Sequence, residues 1–316
     1  MKRALLSLVT NSFGIAAVAA LLAFNTADAA ASVIIVKSDD IPQYDVQIEA
    51  FRMAAPWETK EINIAGSRDR GTKLIRQVAS TEDLQAVFAL GVQAAWLSRQ
   101  LLPDTPMVYA MVLDSNREML DGNKTTGVAV EIPVADLLTR FKLIMPELER
   151  IGVIYSETSA AAFHDEAHEI AAQLGLDLAD EVVSRSDEVA GAYRRLRTEV
   201  EALWMIPDPT VVTRDNFSYL AQRCRNDDIA FLAFSENFVR AGALLSVSPS
   251  YRTMGSQAAV LMEKIVANPE RPPSVQPPLG SSLAVNADTA RRLGIRLNAA
   301  TLNMTDKLID PASEEN

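Results

Sequence analysis

Cysteine is almost absent from this 316-residue chain. Cys224 stands alone, so neither an internal disulfide nor a thiolate metal cluster can form. Histidine occurs only twice, at His164 and His168, which leaves the usual general bases scarce. A basic face is missing as well. The formal charge is −11, and Arg194, Arg195 and Arg197 share their helical stretch with glutamates, a solvated face rather than a nucleic-acid footprint. The strictly apolar run from Phe13 to Phe24 is shorter than the roughly 20 residues a spanning helix needs. What remains is 48% hydrophobic and 22% charged, the balance of a globular protein with a substantial core.

The amino terminus reads as an address. Lys2 and Arg3 precede an apolar stretch from Ala4 to Phe24, and Ala27-Asp28-Ala29 supplies small residues at a cleavage site. That pattern predicts a secretory signal peptide over residues 1–29. No cysteine follows the cut, so a lipid anchor is not expected. The expected product is exported without a membrane anchor, and in a Gram-negative cell it lies in the periplasm.

After the cut, short β-branched runs alternate with amphipathic stretches. Strands are predicted at Ser32–Lys37, Glu61–Ala65, Ala86–Leu90 and Pro106–Val112, with helices from Pro42, about Asp69 and Val92 between and after them. Near-continuous apolar strands of this kind suit a parallel sheet covered on both faces. The polar connection from Leu113 to Thr126 breaks the rhythm. It resumes with Gly127–Glu131, a helix from Pro133, then strands at Ile151–Tyr155, Leu178–Val183, Ala202–Ile206, Ile229–Phe234 and Ala243–Val247. An interruption near residue 130 and a restart predict two α/β lobes of about a hundred residues each. Met254, Ala258, Leu261 and Ile265 mark a further amphipathic helix. The proline-rich segment from Pro269 to Pro278 suits neither helix nor central strand, and reads as a crossing between lobes.

Within this alternation, Ala202–Ile206 runs into Pro207-Asp208-Pro209, and a helix carrying Phe217, Leu220, Ala221 and Cys224 is expected from Thr210. A strand's carboxyl end feeding a helix start is where α/β proteins place ligands. Cys224 falls on the apolar stripe and is an inert buried thiol. Catalytic motifs fail on inspection. Gly66-Ser-Arg-Asp-Arg-Gly71-Thr72-Lys73 reverses the Lys and Thr order of a phosphate loop. His164-Asp-Glu-Ala-His168 puts two imidazoles one turn apart, but Asp165 stands where a zinc protease needs glutamate, and a solvated helix face is expected there. No serine elbow is present. No cofactor is implied.

Several ordered stretches resemble a known family: Arg150-Ile-Gly-Val-Ile-Tyr155, Ala202-Leu-Trp-Met-Ile-Pro-Asp208, Ala233-Phe-Ser-Glu-Asn-Phe-Val-Arg-Ala-Gly-Ala243 and Ser250-Tyr-Arg-Thr-Met-Gly-Ser-Gln-Ala258, with Thr125-Thr-Gly-Val128 and Val285-Asn286. Over about residues 33 to 300 the chain is similar to the substrate-binding proteins of ABC transporters, of the type I periplasmic-binding-protein fold. The subfamily includes tryptophan- and tyrosine-associated binders. The resemblance implies two Rossmann-like lobes with parallel sheets, joined by a three-crossing hinge. Lobe I would comprise 30–131 plus 252–280, lobe II 132–251 plus 281–308, and 309–316 a frayed tail. It implies a non-catalytic monomer that captures a small organic molecule between the lobes and presents it to an inner-membrane ABC permease. Two alternatives stand beside it: a sensing module of the same fold feeding a membrane receptor, and a periplasmic α/β enzyme.

Carried over position by position, the implied cleft residues are Ser38, Gly91, Val92, Gln93, Met111 and Asp114 in the first lobe. In the second they are Tyr155, Ser156, Asp208, Ser235, Glu236 and Tyr251. Helix-start N–H groups after Gly91, Pro207 and Phe234 suit an anion. Asp208 and Glu236 suit an ammonium group, and Tyr155 or Tyr251 a ring or cation. Each also has a structural reading: Asp208 as a helix cap, Glu236 as a first-turn acid, Tyr251 as a core aromatic. Relatives that look like amino-acid binders usually have Gly-Thr-Pro where this chain has Gly91-Val92-Gln93, and often Asp-Pro at Asp114-Ser115 and Asp-Tyr at Ser250-Tyr251. Those departures weaken the case for an ammonium-bearing ligand.

Overall fold

The computed structural model describes residues 32–310 apart from 56, 82, 114–119 and 121–123. Residues 1–31, which include the expected signal peptide, and residues 311–316 lie outside the described residues, while Ile309, expected in a frayed tail, is buried in the strand Lys307–Ile309. Two sheets organise the rest. The first is built from β1 (Ser32–Lys37), β2 (Glu58–Asn63), β3 (Leu84–Leu90), β4 (Met107–Ala110) and β5 (Thr125–Val128), in the order β2-β1-β3-β4-β5, all parallel. The helices between them are α1 (Pro42–Ala54), α2 (Arg68–Thr81) and α3 (Val92–Leu101).

Side-chain alternation along β1 explains why helices cover both faces. Val33 and Ile35 pack with Ile48 and Phe51 of α1, whereas Ile34 and Val36 pack with Ile75 of α2 and Ala94 of α3. The second strand begins three residues before the sequence predicts. It is an edge strand paired with β1 alone, so Glu58 and Lys60 stay exposed, and Thr59 half-buried, while their backbones complete the ladder.

The second sheet contains β6 (Arg150–Ser156), β7 (Asp177–Val183), β8 (Ala202–Trp204), β9 (Ala230–Ala233), β10 (Leu245–Pro249), β11 (Ser281–Asn286) and β12 (Lys307–Ile309), in the order β12-β11-β10-β9-β8-β6-β7. It is parallel except that β10 and β11 run antiparallel, a departure from the all-parallel expectation. The connection between those two is the reason: the chain leaves after β10, visits the other sheet and returns from the opposite end. Helices α4 (Val134–Ile144), α5 (Glu157–Gln173), α6 (Val189–Leu196), α7 (Arg214–Asn226) and α8 (Glu236–Arg240) flank this sheet. Then α9 (Tyr251–Ala267) packs its Met254, Ala258, Leu261 and Ile265 stripe back onto the first sheet's core. Two short helices, α10 (Ala287–Arg292) and α11 (Ala299–Asn303), complete the second lobe.

Among the described residues the chain therefore passes between the sheets three times, after Val128, at Ser250 and through 268–280. Backbone hydrogen bonds tie the passages together: Gln276 N to Gly127 O at 3.0 Å, Ala129 N to Gln276 O at 2.8 Å and Ser250 N to Gly280 O at 2.9 Å. Prolines 272, 273, 277 and 278 remove donors from the third passage. The buried Gln257 side chain of α9 supplies what is missing, donating to Pro277 O at 2.8 Å and accepting from Leu279 N at 3.1 Å.

Candidate functional site

The carboxyl ends of the parallel strands form two rims, one per sheet. On the first, Ser38 follows β1 and Gly91 follows β3. Gly91 is the N-cap of α3 and has no side chain to cap it. Ser38 does this from a neighbouring strand, its Oγ accepting from Ala94 N at 3.0 Å. Gly91 sits at φ +87°, and a Cβ there would lie 2.2 Å from the Tyr44 hydroxyl and 2.7 Å from Ser38 Oγ. Ser38, Tyr44 and Gly91 thus form one packed corner. Burial raises the Tyr44 phenol above its ordinary range, and the Ser38 hydroxyl partly offsets that. Gln93 is exposed and Val92 half-buried on the first turn of α3, and Met111, at φ +59°, turns the chain out of β4. Asp114 lies outside the described residues.

Lys37, at the end of β1, is a rim residue that sequence reasoning missed. It is buried, and its ammonium meets Asp40 at 2.8 Å, Glu61 at 3.0 Å and Asp45 at 3.2 Å. Burial alone would lower its pKa, yet the three carboxylates raise it above the usual lysine range. The Asp40 and Asp45 spacings carried that signal, but Glu61 comes from the adjacent strand.

On the second rim, Asp208 is fully buried. Its carboxylate accepts from Ser156 N at 2.7 Å, Thr210 N at 2.8 Å and Val211 N at 3.3 Å. Burial would push the carboxyl up, but the Ser156 and Thr210 N–H groups with the Ser156 and Ser159 hydroxyls hold it below the usual range. Asp208 therefore caps no helix, contrary to that expectation; it closes the turn after β8 and ties it to the β6–α5 corner. The helix expected from Thr210 starts instead at Arg214, capped by Thr213 Oγ1, which accepts from Asn216 N at 3.2 Å. The reason is local: Asp208 consumes the N–H groups of Thr210 and Val211 in a turn, so no free helix start follows Pro207. Ser156 caps α5, accepting from Ser159 N at 3.4 Å.

Tyr155 does not line the cleft. Alternation along β6 puts it with Ile151 and Val153 on the face covered by α4 and α5, where it is buried edge-on to Phe163. Its hydroxyl donates to Asp180 Oδ2 at 2.6 Å and lies 2.8 Å from His164 Nδ1. The expectation that it stacks on a ligand is corrected by this period-2 geometry.

Three of the expected residues converge. Ser235, Glu236 and Tyr251 line a cavity of about 430 Å³ with Ser248, Ser250 and Ser282 of the second sheet and its crossings, facing Gln43 and Val46 of α1. Glu236, on the first turn of α8, pairs with Lys307 at 2.7 Å and Arg240 at 3.0 Å. Its burial would raise the carboxyl, but the two cations hold it below the usual range. Tyr251 is half-buried against the first sheet's core. Gln43, Val46, Ser248 and Ser282 were invisible as site residues because nothing local distinguishes them; a fold brings α1 to β10. The cavity joins the two lobes beside the Ser250 crossing, so an occupant there touches both. Its wall is mostly hydroxyl and amide, which suits a small polar molecule held by hydrogen bonds.

The comparisons with known proteins agree with this architecture. The family model described as ABC transporter substrate binding protein matches residues 63–309. No curated protein matches the chain. Among solved structures, a ligand-free, open substrate-binding protein with adhesive properties from Clostridium difficile superposes with a TM-score of 0.73 at 18% identity, over 89% of this chain and 99% of that one. A Streptococcus pneumonia ABC domain in complex with L-Trp gives 0.59 at 17% identity, over 88% and 100%. A conserved domain protein from Vibrio cholerae gives 0.60 at 20% identity, over 89% and 100%. At such identities the likeness is one of fold.

Proposed function

This chain belongs to the ABC transporter substrate-binding protein family, and from that premise we propose that it captures a small organic solute between its lobes and delivers it, in a closed form, to an inner-membrane ABC permease. The observation that carries the reading is the cavity shared by α1 of one lobe and by β10, α8 and β11 of the other. A solute seated there gains contacts from both sides only when the lobes approach, so binding favours closure by the difference in its affinity for the two states. The lobes are 30–131 plus 252–280 and 132–251 plus 281–308, and the protein works as an exported monomer in the periplasm, with residues 1–29 removed. No helix of the described residues is long and apolar enough to cross a membrane.

The cavity also bears on what is bound. Ser235, Ser248, Ser250 and Ser282 offer hydroxyls, and Tyr251 an aromatic face. Glu236 and Arg252 add one charge of each sign, already met by Lys307 and by Glu49 at 3.5 Å. A zwitterionic or hydroxyl-bearing solute with a flat apolar part fits that lining. Because the Streptococcus relative was solved with L-Trp, aromatic amino acids are the first solutes to titrate. Native mass spectrometry of protein recovered from its own periplasm reads the bound mass directly. We expect one small organic molecule per chain, with affinity falling at least about tenfold, or 1.4 kcal/mol, in Tyr251→Ala. Recovery of a chemically altered molecule after incubation would point to an enzyme and overturn this reading.

A further inference from the structure

We propose that His164, His168 and Asp180 form a binding site for a divalent transition-metal ion of the zinc type, on the outer flank of the second lobe. The spacing of the two histidines alone promised only a solvated helix face. The fold changes that by laying α5 across β7, which carries Asp180 to the same point. One donor atom from each of the three residues lies within 4.8 Å of the others. Two of the separations are already short: His168 Nε2 to Asp180 Oδ1 is 2.9 Å and His164 Nδ1 to Asp180 Oδ2 is 3.6 Å. Tetrahedral ligands at bond lengths of about 2.0–2.1 Å stand about 3.3 Å apart. Small rotations of two partly exposed imidazoles, 4.4 Å apart at their centroids, bring the set to that spacing.

The surroundings of Asp180 are those of an oriented ligand. The Tyr155 hydroxyl donates to Asp180 Oδ2 at 2.6 Å, and Tyr155 is itself locked edge-on against Phe163. The carboxylate is therefore oriented from beneath through Oδ2, which also lies nearest His164, while Oδ1 faces His168; such an outer hydrogen bond orients ligands at metal sites. Two imidazoles and one carboxylate select zinc, nickel or copper over magnesium or calcium, which want all-oxygen shells. The half-exposed setting leaves room for water in a fourth position. Asp165, next to His164, keeps the set from being a zinc-protease motif, so the ion acts as a staple between α5 and the edge strand. β7 is the last strand of its sheet, four places from β10. The site is thus separate from the solute cavity, and stands or falls independently of solute capture.

The test uses the chain without a histidine tag, stripped with a chelator and titrated calorimetrically with Zn²⁺ and, separately, Mg²⁺. We expect one equivalent of Zn²⁺ bound in the micromolar range, a raised unfolding temperature with Zn²⁺ present, and no binding of Mg²⁺. His168→Ala should weaken Zn²⁺ binding by at least about tenfold, and Tyr155→Phe by a smaller factor at unchanged stoichiometry. Circular dichroism checks that each variant is folded, with His168→Gln as the milder replacement. Absence of Zn²⁺ binding, or equal binding by a folded His164→Ala/His168→Ala double variant, would overturn the proposal.

Discussion

Asp208 shows how much one buried side chain can hold. Its two oxygens satisfy N–H groups from both the β6–α5 corner and the turn after β8. Removing them in Asp208→Ala strands those donors in the interior, at about 3 kcal/mol given ~1–3 for each unsatisfied group. Urea unfolding should register that loss, whereas a residue that only touched solute would leave stability unchanged. The pH dependence has a definite sign. A carboxyl held below its unfolded value of about 3.9 contributes stability above that pH and loses it as pH falls through the folded value. Asp208→Asn should therefore flatten the acid limb of the stability curve below about pH 4; an unchanged limb would assign the effect to other carboxylates. Cys224 is a second case. Burial pushes its thiol up to about 12, so a thiol reagent should leave the native protein untouched and label it only on unfolding. Gly91→Ala, forced to φ +87° and into the Tyr44 hydroxyl, should cost about 1–3 kcal/mol in the same urea assay.

At the scale of elements, the contact of α9 with α1 decides whether the first lobe is complete. A Cβ at Gly255 would stand 2.2 Å from Gln47 O and 2.9 Å from Gln47 C, both backbone atoms that cannot rotate away. Gly255→Ala must shift one helix, and about 1–3 kcal/mol of destabilisation is expected from such overpacking, again measured by urea unfolding. The Met254–Ile265 stripe announced this helix in the sequence, and β1, β3 and β6 were equally legible, since buried parallel strands are near-continuous in apolar residues. Short or marginal elements were not. Lys307–Ile309 and Ala299–Asn303 carry too few periodic positions to stand out. The helix after Asp208 was placed a turn early because proline and threonine resemble a helix start until the carboxylate is seen to close a turn. Of the site, Ser235, Glu236 and Tyr251 could be carried over from motif order. Tyr155 could not, because one residue along a strand reverses the face, and Asp180 met the histidines only through pairing across distant sequence.

For the whole molecule, the three crossings are held as one unit by Gln276, Gly280 and the Gln257 amide. Gln257→Leu keeps the volume but removes two hydrogen bonds, worth about 1–2 kcal/mol, from the proline-rich passage. It should change solute affinity without touching solute, with the radius of gyration of the solute-free protein shifting in X-ray scattering. An unaltered radius and affinity would mean the passage is rigid by its prolines alone. The path of the chain has one more consequence. Helix α9, which seals the core over β1 and β3, arrives more than two hundred residues after β1 and about 160 after β3. During synthesis the first lobe is thus begun earliest and finished almost last, its apolar floor waiting for residues 251–267. Non-local closure of this kind is slow. A nascent chain that cannot finish its leading half stays a thread for longer, a delay that would serve the export proposed above.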